Sequence, residues 1–315
     1  MASLKCVCGS EAVINLRYVG KFFCESCFIT FFEKRIRREL RFLKGIQRGD
    51  KIAVALSGGK DSSCVLYTIN KVANRIPDVE VIAISIDEGI KGYREHTLKS
   101  GRKLCRKLGI PHHMFIFEKE FDYSLDRMVE ISKENGYKKN PCTYCGVLRR
   151  YLINKYAREL ECNKIFTGHN LDDEAQAIML NMMQGALKKL ARLDPLPHNT
   201  HPLIVPRLKP LRNLPEKEIA LYTILKDIPC SLKECTYSGT SFRADVRDFL
   251  NEIERKRPGT KHGVVSSLDK MLPYVRNLVD ERIRECEICG EPTSRNICKP
   301  CELLEEISRT HRGLD

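Results

Sequence analysis

The chain has 315 residues, 42% of them apolar, which is enough for one large core plus accessory modules. No apolar run is long enough to cross a membrane, and the opening Met1-Ala-Ser-Leu-Lys-Cys6 lacks the apolar core of a secretion signal, so a soluble cytoplasmic protein is expected. Its 15 cysteines then point to metal or catalysis rather than disulfides, and its formal charge of +13 points to a polyanionic partner such as nucleic acid.

In chain order, residues 1–30 are cysteine-bearing and too few to fold on an apolar core. Residues 31–49 read as a basic amphipathic linker helix. Phe28, Phe32, Ile36, Leu40 and Leu43 form one apolar stripe. Lys34, Arg38 and Arg41 lie opposite it, with Arg37, Lys44 and Arg48 on one flank, a surface suited to backbone phosphates. Arg149-Arg150, Lys188-Lys189 and Arg255-Lys256-Arg257 add to the field. From residue 50, strand and helix alternate. Apolar runs at Lys51–Leu56, Val79–Ile86, His112–Phe117 and Lys164–Thr167 read as strands, and Arg94–Leu108 and Val147–Leu160 read as helices. That alternation predicts a Rossmann-like parallel sheet with right-handed crossovers and a ligand at the carboxyl ends of the strands. Half of the 14 prolines fall between Asp194 and Pro229, so that segment is expected to be extended and to wrap a surface. Thr240–Arg257 and Ser267–Asp280 read as largely helical. The boundaries follow as 50–281 for the main domain and 282–315 for a second cysteine module.

The first strand breaks directly into Ser57-Gly58-Gly59-Lys60-Asp61-Ser62, and a helical pattern (Val65, Leu66, Ile69, Val72) begins after it. Strand, glycine turn and helix N-terminus together make an anion site, because unpaired N–H groups and the positive end of the helix dipole face the turn. The glycines remove Cβ atoms that would hold a phosphate away. Val54 and Asp61 stand where a Walker A loop needs Gly and Ser or Thr, so this is a different phosphate loop.

The cysteines sort by spacing. Cys286-x2-Cys289 and Cys298-x2-Cys301 are two knuckles suited to one tetrahedral Zn²⁺, and Cys6-x-Cys8 with Cys24-x2-Cys27 offer a second, tighter-spaced set. Cys64, Cys105, Cys162 and Cys230 have apolar contexts and read as packing. Cys142 and Cys145 open a helix carrying Arg149 and Arg150, where dipole and cations are expected to lower thiol pKa. Cys235, in Glu234-Cys-Thr-Tyr-Ser-Gly239, is the best third thiol. These three fit a persulfide-and-disulfide pair with a bystander, a [4Fe–4S] cube lacking its fourth protein ligand, or a third Zn²⁺.

The hexamer resembles the PP-loop of the ATP pyrophosphatases. The whole chain resembles the tRNA 2-thiouridine synthetases, through Ser57–Ser62, Pro141–Arg150, Thr167-Gly-His-Asn-Leu-Asp-Asp173, and Cys235-Thr-Tyr-Ser followed by Ser241-Phe-Arg243, between two terminal zinc modules. The resemblance implies ATP across Ala55, Ser57, Gly58, Gly59, Lys60, Asp61, Ser62 and the Ile86 strand end, with Arg149, Gly168 and Asp173 near it. It further implies Lys60 on the phosphates, Asp61 with Asp173 on Mg²⁺, and a cluster on Cys142, Cys145 and Cys235. Asp172-Asp173 also suit ordinary helix capping, and the two roles are compatible. Adenylation of the uridine C2 oxygen with loss of pyrophosphate, then displacement of AMP by sulfur, is the implied reaction. The implied partners are tRNA, a sulfur donor (sulfide or a ubiquitin-like thiocarboxylate carrier) and a second copy in a homodimer. Rival readings are a cytidine thiolase, a lysidine-forming ligase that needs no thiols, and a nucleic-acid-binding zinc protein with an inactive nucleotide fold.

Overall fold

A computed structural model of the chain describes residues 5–134, 139–196, 201–237, 242–277 and 283–311. The expected 281/282 boundary, Ser238-Gly239 and Ser241 lie outside them. The chain opens with a hairpin of β1 (Ile14–Leu16) and β2 (Lys21–Phe23), then α1 (Glu25–Phe42). Next come β3 (Lys51–Ala55), α2 (Lys60–Ala73), β4 (Glu80–Asp87), α3 (Arg94–Leu108), β5 (His112–Ile116), α4 (Phe117–Phe121), α5 (Leu125–Glu134), α6 (Pro141–Glu159) and β6 (Lys164–Phe166). The rest is α7 (Leu171–Met183), α8 (Leu187–Ala191), β7 (Arg207–Leu208), α9 (Glu216–Leu225), α10 (Phe242–Lys256), α11 (Thr260–Asn277), a second hairpin of β8 (Arg284–Glu285) and β9 (Pro292–Thr293), and α12 (Lys299–His311).

Five strands form one parallel sheet in the order β5-β4-β3-β6-β7. Both faces are covered, as parallel sheets require. Side chains alternate across the sheet plane: Ile52, Val54, Val81, Ala83 and Phe166 face a core built with α1, α2 and α9. Ala53, Ile82, Ile84 and Ile165 face the opposite core, built with α4, α5, α6 and α12. A third cluster joins α7, α8, α10 and α11. Cys64, Cys105 and Cys162 are buried in the first two cores.

Three expectations need correction. The apolar stripe of α1 is buried as read, but the helix begins at Glu25, inside the first cysteine module, and ends at Phe42, so Lys44 (φ 47°) and Arg48 lie beyond it. Arg35, on the same helix, turns inward: it is buried against Glu218 at 2.7 Å, and its guanidinium donates to Tyr18 and the Asn213 carbonyl. Second, the proline-rich segment contains α9, whose Ile219 and Tyr222 are fully buried against the α1–α2 side; Pro215 caps that helix rather than breaking it. The segment also supplies β7, an edge strand absent from the periodicity because it has only two residues. Third, α11 starts at Thr260, ahead of the expected Ser267, and carries Pro273 inside it. No helix among the described residues is long and apolar enough to cross a membrane.

His112, on β5, lies with Nε2 2.7 Å from Ser85 Oγ, and burial pushes its pKa down to about 4, with Arg102 and His113 adding to the effect. The unfolded ring protonates near pH ~6.5. Between those values the unfolded chain binds the extra proton, so stability rises with pH through this window and is full above it. Thermal melts at pH 5, 6 and 7 are expected to show a falling melting temperature toward pH 5, with a shallower slope in His112→Gln. An unchanged slope would count against this account.

Candidate active site

β3 is buried along Ile52–Val54 and ends at the sheet's carboxyl edge, where Leu56 still donates to the Ile84 carbonyl. The chain then turns through Gly58, at φ +85°, where an added Cβ would lie 1.9 Å from the Thr97 carbonyl oxygen of α3. Gly59 is the extended N-cap of α2 and offers no side-chain cap, which leaves the first-turn N–H groups open to an anion. Ser62 folds back into the turn: its Oγ accepts from the Gly58 N–H at 3.2 Å and lies 2.9 Å from Ser57 Oγ. From outside, the Ser231 N–H donates to the Gly58 carbonyl at 2.8 Å.

Lys60 Nζ reaches Asp61 at 3.1 Å and Glu216 at 2.5 Å. Burial alone would lower its pKa, but the two carboxylates outweigh that and raise it. Burial raises Asp61 despite Lys60, and Asn170 donates to its Oδ1 at 3.1 Å. The β6 turn closes on the same loop, since a Cβ on Gly168 would meet the Ser62 nitrogen at 2.8 Å. Asn170 and Asp173 form a reciprocal capping box on α7, so Asp173 does cap. Its carboxyl nonetheless remains beside Arg243 (3.2 Å) and the Asp61 charge, and burial lifts it to about 6. Asp172 is engaged elsewhere, with Lys261 and the Glu216 N–H.

Two residues that sequence reasoning passed over hold this architecture. Arg94, 3% exposed, donates to the Ser57 carbonyl at 2.9 Å and to the Ile86 carbonyl, tying the glycine turn to the end of β4. Its Nε lies 2.6 Å from Glu88, 1% exposed, although off the hydrogen-bond axis, and Arg149 reaches the other Glu88 oxygen at 3.4 Å. The signal was Asp87-Glu88-Gly89 at a strand's carboxyl end; nothing local marks Arg94 or Glu216.

The structure brings Cys142, Cys145 and Cys235 together. Asn140 caps α6 by accepting from the Cys142 N–H at 2.8 Å, Cys142 Sγ lies 3.8 Å from the Tyr237 carbonyl, Cys145 feels the charges of Cys142 and Cys235, and Cys235 feels that of Cys142. Cys230 lies apart, beside Lys60, Asp61 and Cys64. The expected lowering of thiol pKa at the helix opening is overturned at Cys145. Burial pushes Cys145 up to about 11 despite Arg149, and burial also raises Cys235, because desolvating a thiolate outweighs the nearby cation. One ion bound at about 2.3 Å would hold its sulfurs about 3.8 Å apart. The three thiols do not all fall within 4.8 Å of one another, so they fit a polynuclear cluster, whose corners are spread, better than a third single ion.

The terminal sets differ in this respect. Cys6, Cys8, Cys24 and Cys27 gather within 4.8 Å, as do Cys286, Cys289, Cys298 and Cys301. Sulfur separations of 3.6 Å (Cys8–Cys24, Cys289–Cys298) and 4.0 Å (Cys286–Cys301) suit one tetrahedral ion, and the Cys298 N–H donates to Cys286 Sγ.

The parallel sheet, its glycine turn without a Walker lysine pattern, and the acids at α2 and α7 define a nucleotide-binding fold of the PP-loop class. Residues 32–253 match the PP-loop domain family. The tRNA 2-thiolation protein NcsA of Haloferax volcanii is 35% identical, over 95% of this chain and 98% of its own. The tRNA-5-methyluridine(54) 2-sulfurtransferase of Pyrococcus horikoshii is 32% identical over 97% and 96%. Among solved structures, the U34-tRNA thiolase NcsA of Methanococcus maripaludis with its [4Fe-4S] cluster superposes with a TM-score of 0.83 at 34% identity, covering 97% of each chain. The chain belongs to the PP-loop family, in the group that holds the tRNA 2-thiolation proteins.

Proposed function

We propose that this protein is a cytoplasmic tRNA 2-thiouridine synthetase acting at the wobble uridine, that is, an ATP-dependent tRNA sulfurtransferase. The observation that carries the reading is the juncture at Arg149: its guanidinium touches Glu88, which with Arg94 fixes the glycine turn, and it also lies beside Cys145. Nucleotide loop and sulfur centre therefore share one wall.

In this reading ATP lies along Ala55, Ser57–Ser62, Ile86 and Gly168. The first-turn N–H groups of α2 and Lys60 balance its phosphates, and Asp61 and Asp173 hold Mg²⁺. The uridine C2 oxygen attacks the α-phosphate and pyrophosphate leaves. A sulfur nucleophile, from sulfide or a ubiquitin-like thiocarboxylate carrier, then displaces AMP to leave 2-thiouridine. Cys142, Cys145 and Cys235 would hold a [4Fe–4S] cluster, which when bound supplies one iron free of a protein ligand for sulfide. The terminal cysteine sets would each hold a structural Zn²⁺ within modules at 1–30 and 282–315, flanking the catalytic region 50–281, and the active form is a homodimer. The Pyrococcus relative, named for position 54, supports the T-loop uridine as the second reading.

Anaerobic purification with iron, sulfide and zinc counts tests this. About four irons and two zincs per chain are expected, with the iron lost in Cys142→Ala, Cys145→Ala and Cys235→Ala and kept in Cys230→Ala. Release of AMP and pyrophosphate should require tRNA. Thiolation by iron-free protein would replace the cluster with a Cys142–Cys145 persulfide route. Retained activity in Cys142→Ala would sink thiolation at this site altogether.

A further inference from the structure

Beside the cysteine centre, α6 continues from Arg149 into Arg150, and the edge strand β7 places Arg207 against it: the Arg207 guanidinium donates to the Arg150 carbonyl at 2.7 Å. Arg149 acts on Arg150, and Lys209, Arg149, Arg243 and Arg150 all act on nearby His169. Three of these cations have carboxylates: Arg149 with Glu88, Lys209 with Glu174, Arg243 with Asp173. Arg150 and Arg207 have none among the described residues. Burial and then the Arg150 charge lower Arg207 to about 10, and burial and then the Arg149 charge lower Arg150. Burial of its ring and then the same cations hold the pKa of His169 down, although the residue keeps solvent exposure, so it stays neutral and adds no further positive charge. Two neighbouring arginines without an acid leave positive charge and free N–H donors that an anion can complete.

The location selects the anion. Arg150 acts electrostatically on Cys145 at one side and on His169, next to Gly168, at the other. The charges that act most on Lys60 and Asp61, at the nucleotide loop, are instead each other and Glu216. The pair thus flanks the gap between sulfur centre and nucleotide loop, where a target base would have to enter, and stands off the loop itself.

We propose that Arg150 and Arg207 form a phosphodiester clamp that grips the tRNA backbone next to the target nucleotide and aims its base between the nucleotide loop and the cysteines. The clamp rests on the tRNA-thiolation reading above. An arginine fork matches two phosphate oxygens at once, which fixes orientation as well as adding affinity. Both residues are therefore positioning residues, acting through where the base is held.

The test measures binding of an unmodified tRNA transcript to the holoprotein between 50 and 200 mM salt, with ATP KM measured in parallel, for the parent, Arg150→Gln, Arg207→Gln and Arg150→Lys. Each glutamine variant is expected to weaken tRNA roughly tenfold and to flatten the salt slope by about 0.7–0.9, with ATP KM unchanged. Arg150→Lys should regain the slope but not the full affinity. The Arg150 side chain makes no hydrogen bond with any described residue, so Arg150→Gln should melt with the parent and report even if Arg207→Gln is unstable. Unchanged tRNA affinity and slope in Arg150→Gln overturns the clamp, and so does weakened ATP binding with tRNA binding intact, which would assign the pair to the nucleotide. Failure of the parent to bind tRNA would remove both the clamp and the thiolation reading, whereas normal parent binding with insensitive variants removes only the clamp.

Discussion

Gly58→Ala is expected to abolish ATP binding and to melt far below the parent, while Gly59→Ala folds normally. At Gly58 the backbone sits at φ +85°, and an added methyl would lie 1.9 Å from the Thr97 carbonyl oxygen and 2.6 Å from its carbon. Neither atom can yield, because they belong to the backbone of α3, whose first turn is held by Arg94 and its bonds to Ser57 and Ile86. The left-handed conformation and the overpacking together cost about 3 kcal/mol or more. Gly59 differs: its φ is −78° and an added Cβ meets only Ser57 Oγ, at 3.7 Å. That methyl is harmless to the fold and harmful only to a phosphate seated against the turn. Calorimetric ATP titration and thermal melts read the two effects apart. A Gly59→Ala protein with the parent's melting temperature and unaltered ATP affinity would show that the phosphate does not lie there.

The second large effect is expected at Glu88. This carboxylate is 1% exposed, lies 2.6 Å from Arg94 Nε, and its other oxygen faces Arg149. Removing it in Glu88→Ala strands the Arg94 guanidinium, 3% exposed, without its counter-charge. Breaking a buried pair from one side costs about 3–5 kcal/mol, far more than the pair's net worth when intact. Because Arg94 also holds the Ser57 and Ile86 carbonyls, the nucleotide loop loosens, and ATP KM should rise as well. Urea unfolding gives the stability change. A loss under about 1 kcal/mol would mean that Arg94 finds water or another acceptor and that Glu88 is not the anchor described. Replacing both residues by apolar ones of similar size should recover much of the stability but not the ATP site, which separates the two roles.

Much of this protein was written in local sequence. The β3 turn with its two glycines, the alternation of strands with Arg94–Leu108 and the helix through Val147–Leu160, and the two four-cysteine sets are all short-range signals. Period, turn chemistry and metal-ligand spacing are properties of consecutive residues, so they survive without a fold. The apolar stripe of α1 was legible for the same reason. What the stripe could not reveal is that Arg35 turns inward: its partner Glu218 lies 183 residues away on a helix hidden within a proline-rich stretch. The brace of Glu88 and Arg94 on the Ser57 turn was equally invisible, since it depends on the β4–α3–β5 crossover that sets α3 beside the loop. Thiol chemistry shows the same division. Helix position and neighbouring cations argued for a lowered pKa at Cys145, and burial, which only the packed fold supplies, reversed the sign. Sequence by itself determined the kinds of site and their order along the chain, because donor types and spacing are local. The tertiary structure alone decided which distant groups meet: it set Glu88 and Arg94 against the Ser57 turn, and left Arg150 and Arg207 without an acid among the described residues. Electrostatics and desolvation act through space, over distances that the order of residues does not encode.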